Sequence, residues 1–138
     1  MRTLFRCLLV ASLLTSCTGR QASPPPVPPA PPDLRVQYGL ASWYGQERQG
    51  RRTASGEIYD SSQLTAAHRM APFGTYARVT NLANGRVVQV RINDRGPANR
   101  ERVLDLSYAA AYQLGMVRAG VAHVKVEFLA PGPPLPSS

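Results

Sequence analysis

Residues 90–99, VRINDRGPAN, run an apolar–polar alternation into a carboxylate: Asp94, with Arg91 and Arg95 close by and Gly96-Pro97 behind it. An aspartate so placed either closes an Asx-type turn and balances a guanidinium, or is held at a strand end to exchange a proton with a substrate. The two readings make opposite demands. A nearby guanidinium lowers a carboxyl pKa, whereas a general acid needs it raised toward the working pH. For Asp94 to act as an acid, Arg91 and Arg95 must point away, and Glu57 should come close enough to repel its charge. Period-two alternation puts Arg91 on the strand face opposite Asp94, if the strand runs that far. Arg95 is then free for a substrate carboxylate or carbonyl.

The acids are few: Asp33, Glu47, Glu57, Asp60, Asp94, Glu101, Asp105 and Glu127. Asp33 lies in a proline-rich stretch, Glu127 faces outward on an alternating strand, and Glu47 and Glu101 read as solvated loop charges. Asp105, just before a helix-capping Ser107, is expected to serve the helix N-terminus, where negative charge is favoured. Glu57, Asp60 and Asp94 remain. Glu57 follows Ser55-Gly56, a turn able to present a side chain, and is otherwise an exposed loop glutamate. His68 either acts directly or orients one of the carboxylates by a hydrogen bond. With His68 and His123 the remaining soft ligands of the folded part, a zinc site of the two-cysteine, two-histidine kind is excluded, and no metal or cofactor is expected. Tyr108 and Tyr112, four residues apart, read as helix packing, and Arg51-Arg52 as a solvated charge pair.

The elements that must carry these residues are mostly strands. Tyr38–Tyr44, Thr75–Asn81, Arg86–Asn93 and Ala122–Leu129 read as β, with Asn84-Gly85 a hairpin turn between the second and third. One helix is expected, with Ser107 as N-cap, Tyr108–Leu114 as its body and Gly115 as its stop. Short strands with one inserted helix in under about 100 residues suggest a small closed barrel, because closure removes exposed sheet edges.

The ends of the chain read differently. Arg2 and Arg6 precede an apolar run from Cys7 to Leu14 that is too short to span a bilayer, the pattern of a processing signal. TGRQASPPPVPPAPPDL (18–34) holds seven prolines and no apolar periodicity, a polyproline II linker. At about 3 Å per residue it would reach roughly 50 Å. The expected division is a signal at 1–16, a lipidated cysteine and linker at 17–35, a barrel at 36–130 and a proline-rich tail at 131–138. The formal charge is +8, and loss of Arg2 and Arg6 with the signal leaves about +6. For an exported domain this favours anionic envelope partners, lipid head groups or cell-wall carboxylates, over nucleic acid.

Two resemblances sharpen this. Leu14-Thr15-Ser16-Cys17 resembles the lipobox of bacterial lipoproteins, which implies acylation of Cys17 and anchoring in a membrane. Thr18 after the cysteine, rather than aspartate, points to the outer membrane, facing the periplasm. The runs GLASWYG (39–45), RRTASGEIYD (51–60), LTAAH (64–68), PFGT (72–75), RVTNLANGR (78–86), RINDRGP (91–97) and LDLSYAAAYQLG (104–115) resemble, in order and spacing, the rare lipoprotein A family. That resemblance implies a mainly β, six-stranded double-psi barrel with one or two short helices. It also implies a lytic transglycosylase that cuts peptidoglycan between N-acetylmuramic acid and N-acetylglucosamine and leaves 1,6-anhydro ends, in wall remodelling and daughter-cell separation. Asp94 matches the family's catalytic aspartate, and Glu57 and His68 match the other residues implicated there. Tyr44, Tyr59, Asn93 and Arg95 are expected to bind the sugar strand, Tyr44 by stacking. Arg48-Gln49-Gly50 stands where the family commonly has Phe-His-Gly. The glycan-binding C-terminal domain that many members carry is not expected here. The alternative is a wall-binding barrel of the expansin type that cleaves nothing, and a third reading is a lipoprotein that tethers a cell-division partner.

Overall fold

The computed structural model describes residues 35–129, so the predicted signal, Cys17, the linker and the tail lie outside the described residues. Within them, alternation does what the sequence predicts. Val88, Val90 and Ile92 are buried while Val87 and Gln89 between them are exposed, and Val124, Val126 and Phe128 repeat the pattern. Each strand thus offers one apolar face, and a curled sheet can bury that face against itself.

Six strands do so: β1 (Val36–Trp43), β2 (Thr65–Ala67), β3 (Tyr76–Asn81), β4 (Val87–Asp94), β5 (Arg102–Leu106) and β6 (Ala122–Phe128), with one helix, α1 (Tyr108–Gln113), between the last two. A three-residue 3-10 turn at Gln46–Arg48 follows β1. The strands close into a barrel in the order β1-β5-β2-β4-β3-β6. The β1–β5 and β2–β4 pairs are parallel, the rest antiparallel. Val79, Val90, Ile92, Leu104, Leu106, Val124 and Val126 fill the interior. Strands β2 and β5 are not among the four read from alternation: three residues, Thr65-Ala66-Ala67, carry no period.

α1 begins and ends as predicted. The Ser107 hydroxyl accepts the Ala110 amide at 3.3 Å, and Gly115 takes φ +66° just past the end. The carbonyl of Leu114 accepts the side-chain amides of Asn81 and Asn84, each at 2.9 Å, so the hairpin after β3 satisfies the helix end. Asp105 departs from expectation. It lies on β5 and accepts the Ser42 hydroxyl at 2.6 Å, with the Arg102 guanidinium 3.5 Å away, and so serves the sheet rather than the helix N-terminus.

One irregularity decides where the carboxylates point. Ala66 pairs with Ile92, but Ala67 pairs with Asp94, so Asn93 is an extra residue on β4. Such a bulge turns the side chains that follow to the other face. Strict alternation would send Asp94 inward with Val88, Val90 and Ile92; the bulge brings it outward beside Ala67. It also overturns the expected separation from Arg91. Arg91 pairs with Thr65, two residues before Ala67, and therefore shares the outward face with Asp94.

Candidate active site

Asp94 is 8 % exposed and held by three donors. Its Oδ1 accepts the amides of Ala54 (2.9 Å) and Arg95 (2.8 Å), and its Oδ2 accepts the Tyr44 hydroxyl at 2.9 Å. The Arg95 amide belongs to the adjacent residue, one short of the donor an Asx turn uses, so the carboxylate is held without that turn. Both guanidiniums are engaged elsewhere. Arg95 donates through Nη1 to the carbonyls of His68 (3.2 Å) and Ala71 (2.8 Å) and lies 3.9 Å over the Phe73 ring. It ties down the 68–73 loop rather than the aspartate carboxyl, while the residue as a whole remains exposed. Arg91 grips Glu57 with both terminal nitrogens, at 2.6 and 2.8 Å.

Glu57 therefore faces Arg91 rather than Asp94. The Arg91 hydrogen bonds hold its carboxyl below the usual range, burial opposes them, and the Asn93 amide at 3.2 Å lowers it further. Its structural effect on Asp94 is indirect. The Glu57 carbonyl accepts the Thr53 amide (2.7 Å), and the Gly56 amide returns to the Thr53 carbonyl (3.0 Å), closing the 53–57 turn. By clamping that turn onto Arg91 and Asn93 of β4, Glu57 fixes the Ala54 amide that donates to Asp94. Asn93, expected to bind sugar, has its side-chain amide on Glu57.

His68 touches neither carboxylate through its ring. Its Nδ1 accepts the amides of Met70 (3.1 Å) and Ala71 (2.9 Å), so Nε2 carries the proton and donates to Gln37 Oε1 at 3.0 Å. The ring packs edge-on against Phe128. Burial, then the charges of Arg69 and Arg95, push its pKa down to about 4. It is a neutral ring that shapes the 68–71 turn, while its amide donates to the Asp94 carbonyl at 3.2 Å.

Tyr44 and Tyr59 are buried, not open to a groove, and meet edge to face with centroids 5.2 Å apart over Ala67. The Arg48 guanidinium lies 5.0 Å from the Tyr44 ring centre. Stacking on a sugar is thus replaced, for Tyr44, by a hydroxyl aimed at Asp94. Burial first, then the hydrogen bond and charge of Asp94, push that phenol far above its ordinary range, so it remains a donor at every physiological pH. The Tyr59 hydroxyl accepts the Tyr108 amide at 3.3 Å. Asp60 accepts the amide and hydroxyl of Ser62 and caps its own turn. Tyr108 packs edge-on against Trp43, but Tyr112 is 67 % exposed, which its reading as a packing residue did not anticipate.

The geometry brings together Asp94, Tyr44, the Ala54 amide and, through its clamp, Glu57; it keeps His68 and Arg95 on the supporting loop. The Tyr44–Asp94 contact was not readable, because it joins residues fifty apart through a strand extension and a bulge. The fold and the site together are a closed six-stranded barrel with a buried, donor-held aspartate at a strand end. The comparisons with known proteins are specific. Residues 36–126 match the family described as lytic transglycolase, and the chain belongs to that family. It is 52 % identical over 101 residues to a Neisseria meningitidis protein named endolytic peptidoglycan transglycosylase RlpA, covering 73 % of this chain and 42 % of that one. To the Vibrio cholerae protein of the same name it is 50 % identical over 106 residues, covering 75 % and 40 %. The chain thus spans about two fifths of the length of these curated relatives. Among solved structures, a Streptomyces papain inhibitor superposes with a TM-score of 0.56 at 25 % identity, covering 68 % of this chain and 94 % of that one. A Clavibacter michiganensis expansin gives 0.57 at 22 % identity, covering 71 % and 52 %, and shares the fold.

Proposed function

We propose that this barrel is a lytic transglycosylase of peptidoglycan, with Asp94 as the proton donor. The observation that carries the reading is the diversion of both neighbouring arginines, which leaves a buried carboxyl held by the Tyr44 hydroxyl and two backbone amides. Asp94 protonates the bridging oxygen as the bond from the muramyl anomeric carbon to N-acetylglucosamine breaks. The muramyl 6-hydroxyl attacks that carbon, closes the 1,6-anhydro ring and gives its proton to the Asp94 carboxylate, which restores the acid. Because the nucleophile belongs to the substrate, no protein nucleophile is needed, and its effective concentration is high. Glu57 and His68 are positioning residues in this scheme, Glu57 through the Ala54 amide and His68 through the 68–71 turn. The names of the relatives support the substrate and the reaction. The test is the mass of fragments released from purified glycan strands: anhydro ends from the parent and none from Asp94→Asn. Reducing ends would indicate a hydrolase, and pelleting with the wall without release a binding module.

The reading extends to location. The Leu-Thr-Ser-Cys run and the seven-proline linker support a lipid on Cys17 and a barrel held off the periplasmic face of the outer membrane. Incorporation of labelled palmitate that disappears in Cys17→Ala tests the anchor.

A further inference from the structure

Asp94 has a counterpart across the sheet. Ser42 pairs with Asp105, Asp105 with Ala67, and Ala67 with Asp94, so these four residues form one row across β1, β5, β2 and β4. Residues directly opposite in a sheet share a face. The 2.6 Å contact from the Ser42 hydroxyl to Asp105 confirms it for one pair, and the bulge at Asn93 achieves it for Asp94. Two carboxylates therefore stand on the same outer face, separated by Ala67, which is itself buried against Tyr44 and Tyr59.

We propose that Asp105 is a second catalytic carboxylate, the base that takes the proton from the attacking muramyl 6-hydroxyl while Asp94 protonates the leaving oxygen. This rests on the lyase reading above and divides between two groups the proton steps that one group would otherwise perform in turn. Spacing is the first argument. Two inter-strand steps of roughly 4.8 Å put the two residues on the order of 10 Å apart at Cα. Glycosidases whose carboxyl groups stand roughly 6.5–9.5 Å apart use the second as a base on a separate nucleophile, whereas about 5 Å serves direct attack on carbon; a whole intervening strand keeps Asp94 and Asp105 out of the shorter class. A substrate hydroxyl is a nucleophile of the first kind.

The surroundings of Asp105 agree. Its side chain is 13 % exposed; the Ser42 hydroxyl donates to Oδ1, and Arg102 Nε stands 3.5 Å from the same oxygen without a hydrogen bond. Among the described residues no donor is bonded to Oδ2. Gly96, two residues past Asp94, borders this space: a Cβ there would come within 3.9 Å of both Ala67 Cβ and Asp105 Oδ2. The segment following the acid thus passes the base with bare backbone. The step balances. The C1–O4 bond breaks and the O6–C1 bond forms; the Asp94 proton goes to O4, the O6 proton goes to Asp105, and solvent restores both carboxyls.

The experiment compares Asp105→Asn, Asp94→Asn and Ser42→Ala in the full chain. The first substrate is purified glycan strands, and the second is a muramyl glycoside with a nitrophenyl leaving group. On strands Asp105→Asn is expected to lose on the order of 10²-fold or more in kcat. KM should change by less than about threefold, and the acidic limb of the pH–rate profile, where a base must be deprotonated, should vanish. On the nitrophenyl substrate Asp94→Asn recovers, since a phenolate leaves without a proton, and Asp105→Asn does not. Ser42→Ala, which keeps the carboxylate and loses its donor, should show a smaller loss with both limbs retained. Parent-like kcat in Asp105→Asn, an unchanged acidic limb, or equal recovery of both aspartate variants overturns the assignment. If Asp94→Asn stays active on strands, Asp94 is not the proton donor, whatever Asp105→Asn does.

Discussion

The first six residues of β4 and its last two obey different rules. From Val87 to Ile92 burial alternates with the period of the strand, and the result is core. At Asn93 and Asp94 alternation stops: both are buried, and both face away from the core, held by Glu57 and by Tyr44 respectively. One extra residue separates a stretch that stabilises the barrel from a stretch that presents a carboxylate. Regular pairing favours a full interior, and a bulge lets a buried polar group escape that interior while keeping the rigidity of the sheet.

Substitutions on either side of Asn93 should therefore fail in different ways. Asp94→Asn is expected to lose about 10²- to 10⁴-fold in cleavage rate with a melting temperature close to that of the parent; a large drop in stability would show that the aspartate belongs to the regular stretch after all. Ile92→Ala should do the reverse, costing about 2–5 kcal/mol in denaturant unfolding, since the side chain is fully buried. Its kcat, measured where it remains folded, should stay near the parent value. Tyr44→Phe removes one buried donor from Asp94 and is expected to cost about 1 kcal/mol of stability and roughly tenfold in rate. Retention of full rate would limit Tyr44 to packing.

Two acid effects on stability are smaller and run the same way. His68 has its pKa lowered to about 4 in the folded state, against 6.5 for a free ring, so the unfolded chain binds more protons between those values. Stability is fully present above about 6.5 and declines as pH falls toward 4, and His68→Gln should flatten that stretch of the curve. Glu57 is likewise lowered by Arg91, so its contribution is present above the ordinary carboxyl range and is lost as pH falls through the folded value. Glu57→Gln is expected to shift the acid end of the unfolding curve slightly, because the pair is partly solvated. It should slow cleavage more than it destabilises, since it loosens the turn that presents the Ala54 amide.

Much of this was legible in the residues. Alternation located β3, β4 and β6 to within a residue or two, and Ser107 and Gly115 marked the helix, because those signals are local. Ordered motifs carried the family and the six-stranded barrel. What escaped depends on register. β2 is too short to show a period, the bulge at Asn93 cannot be seen in one strand alone, and the contacts of Tyr44 and Asp105 follow from pairings fixed by the closed sheet. Asp105 gave a faint signal, a lone acid between Leu104 and Leu106, but the adjacent cap drew it to the helix. Arg95 and His68 were visible as chemistry; their contacts with backbone groups of the 68–73 loop were not.

Cleavage of purified glycan strands in ¹⁸O-labelled water, with the parent and Asp94→Asn side by side, tests the central claim most directly. Intramolecular attack under acid catalysis by Asp94 predicts parent fragments with anhydro ends free of the label, and no fragments from the variant. Labelled reducing ends from the parent, or unlabelled anhydro ends from Asp94→Asn at the parent rate, would contradict it.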